Sequence, residues 1–162
     1  MASLDLKDAY YSIPIAKDHQ KYLKFVFNNN IYYFKALPNG YGPAMRIFTK
    51  VLKIPFSHLR KLGHLSVVYV DDTLLLGVSI EECSNNVTDT VETLRKLGFT
   101  IHAVKSQLEP SRIIVFLGFI FNYINMTIEL THDKKKRIMN YCADVLNHNV
   151  IFPPSKLYWS LI

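Results

Sequence analysis

"SVVYVDDTLLLG" (residues 66–77) sets two adjacent carboxylates inside an otherwise apolar run. By its alternation the stretch is two short strands, 66–70 and 73–76, joined by a tight turn that lifts Asp71 and Asp72 to the tip of a hairpin. Like charges this close repel, and burying them is costly unless an opposite charge compensates. A divalent cation at the tip would do so. Asp-Asp is also a common turn dipeptide, because Asp side chains bond nearby backbone N–H groups. The hairpin alone therefore leaves both readings open.

Outward from the hairpin, residues 2–6 read as a strand. Residues 22–27 and 31–34 are β-rich, and Asn28, Asn29 and Asn30 between them suit a hairpin turn, since Asn tolerates positive φ. Met45, Phe48, Val51 and Leu52 recur at helical spacing, with Pro43 before and Gly63 after; Pro55 is expected to kink or break that helix. A second helix has Ser79 as N-cap, Glu82 at the capping-box position, an apolar stripe of Val87, Val91, Leu94 and Leu97, and Gly98 past its end. "SRIIVFLGFIFN" (111–122) and "MTIEL" (126–130) read as strands. Thr131 caps a third helix, on which "KKKR" (134–137) is expected to be a solvated face. This order suggests an α+β sheet with helices on one face. In such a layout the first strand borders the Asp71 hairpin, and Asp5 comes near Asp71 and Asp72.

The 162 residues are 49% hydrophobic, enough for one globular domain or a large piece of one. No run of about 18 apolar residues suggests a membrane span. The charged start "MASLDLKDAYYS" is unlike an export signal, so an intracellular location, cytoplasm or nucleus, is expected. Cys83 and Cys142 lie far apart without metal-ligand spacing and read as free thiols of a reducing compartment. Two matches to the glycosylation acceptor pattern, at Asn86 and Asn125, read as chance. A net charge of +6 with ten Tyr and ten Phe fits a phosphate-rich partner, although the aromatics also alternate as strand residues do. His19, His58, His64, His102, His132 and His148 show no metal-ligand spacing and read as surface or capping residues.

Three carboxylates at adjacent strand ends are what two-metal phosphoryl transfer needs. Oxygen ligands suit Mg²⁺, with Mn²⁺ an alternative. Asp5 and Asp71 would bridge two ions, Asp72 would support them, and the Leu6 carbonyl would add an oxygen.

"LDLKDAYYSIPI", "LPNGYGPAMRIFTKVL", "YVDD", "LRKLGFTIHAVKSQLEP" and "FLGFIFN" stand in the order and spacing of reverse transcriptase motifs A to E. The chain resembles the palm of a retroelement reverse transcriptase, with partial fingers, over residues 1–130. Residues 131–162 are similar to the start of a thumb or connection. The stretch 46–77 is most similar to DIRS-like and related long-terminal-repeat elements. The resemblance implies an RNA-directed DNA polymerase that binds an RNA or DNA template with its primer and deoxynucleoside triphosphates.

The resemblance also implies roles for single residues. Asp5, Asp71 and Asp72 match the catalytic carboxylates. Asp8 and Ala9 match positions whose backbone lies along the nucleotide's triphosphate, and Tyr10 the bulky residue that clashes with a ribose 2′-hydroxyl. Asn39 and Gly40 match the nucleotide-contacting loop; Phe or Gln is usual where Asn39 stands, and Ala-Pro where this chain has Ala44-Met45. Tyr69 and Val70 match primer-contacting positions, as do Phe116, Leu117 and Gly118 of the primer grip. Lys105 matches a lysine that acts as general acid toward the leaving pyrophosphate.

The chain starts at motif A, so most of the fingers, the connection and an RNase H region are expected to be missing, as in a fragment. Two other readings remain at this point: a catalytically incomplete remnant that at most binds nucleic acid, and an unrelated α+β binding domain. The polymerase reading requires Asp5 to lie within about 4–6 Å of Asp71, close enough to share metal ions; side chains on opposite faces of the sheet would end it.

Overall fold

The computed structural model describes residues 1–148. The chain forms two compact units, Met1–Ser111 and Arg112–Ile162. The tail similar to a connection (152–162) lies outside the described residues.

The first unit is built on a four-stranded antiparallel sheet. Strands β1 (Ala2–Lys7), β4 (Leu65–Tyr69), β5 (Asp72–Leu76) and the two-residue β6 (Thr100–Ile101) lie in the order β4-β5-β1-β6. Period-two alternation sorts β1: Ala2, Leu4 and Leu6 are buried, whereas Ser3 and Asp5 point to the other face. Under the buried face lie α2 (Ala44–Lys61) and α3 (Ile80–Lys96). Leu4, Leu6, Phe48, Leu52, Phe56, Leu59, Leu94 and Phe99 make one core there, and Tyr10 meets Phe48 edge-on at 5.3 Å.

Pro55 does not break α2. The helix continues through it, because Leu52, Pro55, Phe56 and Leu59 are all buried and packing on both sides of the proline holds the helix together. α3 begins as expected: Ser79 Oγ accepts the Glu82 N–H at 3.1 Å, and the Glu82 carboxylate accepts the Val78 N–H at 2.9 Å. Of its apolar stripe, Leu97 is 57% exposed; it stands at the C-cap, past the last helical residue, and leaves the packed face. Asn86 is buried instead, and its amide donates to the carbonyls of Leu65 and Leu76, tying α3 to the open end of the β4–β5 hairpin. That burial leaves no room for a glycan at Asn86. His64 is no plain surface residue either: its Nε2 lies 2.7 Å from the Asp89 carboxylate.

Between β1 and α2 run a short 3-10 turn (Ala9–Ser12), the one-turn α1 (Lys17–Gln20) and the β2 (Lys24–Phe27) and β3 (Asn30–Tyr33) hairpin. Its turn is Asn28–Asn29, both at positive φ, and Phe25 stacks on Tyr32. Both strands are exposed throughout.

In the second unit β7 (Ile113–Phe116), β8 (Phe119–Asn122) and β9 (Thr127–Leu130) form an antiparallel meander, followed by α4 (His132–His148). "SRIIVFLGFIFN" is thus two strands folded back at Leu117–Gly118. "KKKR" is only partly solvated. Lys134 Nζ donates to the Leu117 carbonyl at 3.2 Å and lies 4.5 Å from the Phe119 ring centre, and Lys135 pairs with Glu129 at 3.6 Å. Both cysteines are free. Among the described residues, no helix is long and apolar enough to cross a membrane.

Candidate active site

The β4–β5 hairpin turns through two residues, Val70 and Asp71, because Tyr69 pairs with Asp72. Such a turn needs positive φ at its first position, and Val70 supplies it at φ 55, which a β-branched residue rarely adopts. Val70 packs against the core, which holds it there.

β1 runs antiparallel beside β5, in a register that sets Asp5 directly opposite Asp72. The Leu6 N–H donates to the Asp71 carbonyl at 3.0 Å. Leu6 and Asp71 are therefore a hydrogen-bonded pair, and Asp5 and Asp72 form the neighbouring non-hydrogen-bonded pair, whose side chains approach more closely. The two face each other on the side of the sheet away from the helices. Like charges directly opposite are destabilising, and both carboxyls are shifted upward, chiefly by burial. Asp5 is pushed above the usual carboxylate range, first by burial and then by Asp71, with Lys105 and His102 opposing. Asp72 is raised by burial, then by Asp71 and Asp5.

Beside Asp5 and Asp71 opens a cleft of about 470 Å³, lined also by Leu6, Asp8, Ala9, Tyr10, Asn39 and Lys105, among others; Asp72 does not line it. Burial, Asp71 and Tyr69 raise the Tyr10 hydroxyl above its ordinary value. Lys105 Nζ reaches to 4.0 Å from the Asp5 carboxylate, but is 65% exposed on its side chain. A pair so exposed adds little stability. Of the expected nucleotide-binding positions, Gly40 does not line the cleft. The expected grip residues Phe116, Leu117 and Gly118 lie in the second unit, at the β7–β8 turn. Leu117 and Gly118 have φ 51 and 75, and a Cβ at Gly118 would stand 2.8 Å from the Lys134 side chain.

Two residues bonded to the Asp5 backbone were not expected at the site: His102, expected only as a surface or capping residue, and Ser106. The His102 N–H donates to the Asp5 carbonyl, and its ring Nδ1 accepts the Lys105 N–H at 3.4 Å. Ser106 Oγ accepts the Asp5 N–H at 3.0 Å. Together they splice the loop carrying Lys105 onto β1. The only hint in the sequence was "HAVKS", a polar residue three before Lys105.

Among the described residues, no three carboxylate, imidazole or thiolate groups are gathered closely enough to enclose a metal ion by themselves. The expected meeting of three carboxylates at one point is therefore not present as a preformed ligand cluster among the described residues. Asp5, Asp71 and Asp72 offer only oxygen atoms to a ligand, and the carboxyls of Asp5 and Asp72 are both shifted upward.

A profile described as "Reverse transcriptase (RNA-dependent DNA polymerase)" matches residues 1–121, and the chain belongs to this family. It is 29% identical over 140 residues to the Gag-Pro-Pol polyprotein of Human T-cell leukemia virus 2, covering 81% of this chain and 10% of that protein. It is 30% identical over 139 residues to Protein P of a duck hepatitis B virus, covering 83% of this chain and 17% of that one. The chain thus spans a small part of these relatives. A foamy viral protease-reverse transcriptase solved with an RNA/DNA hybrid shares the fold, with a TM-score of 0.72 at 24% identity over 86% of this chain and 18% of that one. The same viral protein solved with double-stranded DNA gives 0.74 at 22% identity over 99% of this chain and 31% of that one.

Proposed function

We propose that this chain is the palm, with partial fingers, of an RNA-directed DNA polymerase that adds deoxynucleotides to a primer 3′ end. One observation carries the proposal: Asp5 stands opposite Asp72 on neighbouring strands, with Asp71 on the adjoining hairpin tip. In this reading Asp5, Asp71 and the Leu6 carbonyl would hold two Mg²⁺ ions, or Mn²⁺, with Asp72 supporting them. The bound ions would activate the primer 3′-hydroxyl and take up charge on the leaving pyrophosphate.

The chain's own groups do the rest. Asp8 and Ala9 offer backbone along the triphosphate. The Tyr10 ring, wedged against Phe48, blocks the space of a ribose 2′-hydroxyl. Asn39 and Gly40 contact the nucleotide. Lys105, on an exposed arm beside Asp5, gives a proton to the pyrophosphate. Tyr69 and Val70 of the first unit are proposed primer contacts, as, separately, are Phe116, Leu117 and Gly118 of the second. Residues 1–130 form this working part and 131–162 begin the thumb or connection. The finer assignment to a DIRS-like element rests on the motif stretch 46–77.

The test is primer extension on poly(rA)·oligo(dT) with Mg²⁺, comparing the chain with Asp71→Asn. Extension by the parent that drops at least about 100-fold in the variant, the scale of losing one electrostatic stabiliser, supports the reading. A folded parent that extends nothing, or a variant as active as the parent, overturns it.

A further inference from the structure

Helix α2 has a second face. Its buried residues, Phe48, Leu52, Pro55, Phe56 and Leu59, occupy one side. At 100° per residue, Arg46, Lys50, Lys53, Ser57 and Lys61 fall on the opposite side, at steps of four, three, four and four residues. The three lysines are exposed, and with Ile54, Ser57 and His58 they line a shallow depression of about 450 Å³. The helix sequence contains no Asp or Glu. No ion pair among the described residues involves these cations. The contrast with "KKKR" is plain, since Lys134 and Lys135 there are engaged within their own unit.

We propose that this basic face of α2 binds the phosphate backbone of a nucleic-acid strand outside the catalytic cleft. It cannot belong to the cleft: α2 packs under the sheet, and Asp5 and Asp72 project from the sheet's other side. Arg46 and Lys61 are about 22 Å apart along the axis, and successive steps are about 4.5–6 Å. Those steps are one to two times the axial spacing of phosphates on one strand, about 3.4 Å. A protein partner fits less well. Lysine is depleted in protein interfaces, which rely on buried apolar anchors, and Ile54 is the one large apolar residue among those lining the depression. The choice of nucleic acid as the polyanion rests on the polymerase reading above.

The test measures binding of a fluorescent 20-nucleotide single strand and of a 20-base-pair duplex across a salt series. The parent is compared with Lys50→Gln/Lys53→Gln/Lys61→Gln and with a charge-matched control, Lys17→Gln/Lys21→Gln/Lys96→Gln. Thermal melts check that all three fold alike. The proposal expects the α2 variant to bind at least about 10-fold more weakly at low salt, and its duplex salt slope to flatten by about 2–3, near 0.9 per lost phosphate contact. The control should change much less. Equal affinity and slope in parent and α2 variant overturn the proposal. So does a parent that binds polyglutamate but neither nucleic acid, with that binding lost in the α2 variant, since the face would then be a protein-docking surface. Primer extension is read separately, so a failed polymerase reading and a failed binding face give different patterns.

Discussion

The first unit contains two hairpins with turns of the same length, two residues, and opposite chemistry. The β2–β3 turn is Asn28–Asn29, at φ 49 and 59, built from residues that adopt this conformation readily. Its strands are exposed and bring no charges face to face. The β4–β5 turn puts Val70 at φ 55, and the same hairpin sets Asp72 against Asp5. A chain that can make the easy turn makes the strained, charge-crowded one where β1 and β5 meet. Strain and like charge kept at one place, held by the surrounding core, are what the proposed site would need.

The largest effect expected from breaking the contrast is on catalysis, the loss of primer extension in Asp71→Asn. Exchanging turn residues comes next. Asn29→Val forces a β-branched residue into the left-handed region and should cost about 1–2 kcal/mol in chemical denaturation. Val70→Asn relieves the same strain but gives up packing against the core, so a net gain of about 0.5 kcal/mol is expected. If both exchanges were neutral, strain would not distinguish the hairpins. Asp72→Asn removes a repelled, half-buried carboxylate and should raise the Tm by about 2–4 °C, the shift about 1 kcal/mol gives in a chain this size. A lower Tm would mean that the repulsion is already relieved.

The smallest effect is in pH. Asp5 and Asp72 hold their protons more tightly folded than unfolded. Their contribution is therefore most favourable below the unfolded value of 3.8 and is lost as pH rises through the raised folded values. In a double-difference melt, the stability gap between Asp5→Asn/Asp72→Asn and the parent should narrow as pH falls through that window. A gap independent of pH would contradict the assignment.

Much of this was legible beforehand because it is local. The Asp71 hairpin, the Ser79 cap and the Asn turn each depend on a few neighbouring residues. The element order already suggested that β1 borders the Asp71 hairpin and brings Asp5 near it, and the resemblance added the roles of these residues. What escaped was decided at long range. Pro55 stays helical because of what packs around it, and Leu97 is left out because the helix ends first. Asn86 is buried because two strand-end carbonyls need a donor. β6 is two residues long, too short for any alternation to show. Ser106 and His102 were missed because their partner is the backbone of Asp5, about a hundred residues away along the chain.

The central claim is that the carboxylates of β1 and the β4–β5 turn are kept together for a cation. The most direct measurement is the melting temperature of the parent and of Asp5→Asn at rising Mg²⁺ concentration and constant ionic strength, near neutral pH. An ion that binds the folded chain alone stabilises it in step with its concentration. The account predicts a Tm that climbs with Mg²⁺ in the parent and stays flat in Asp5→Asn. A parent that does not respond, or a variant that responds equally, would contradict it.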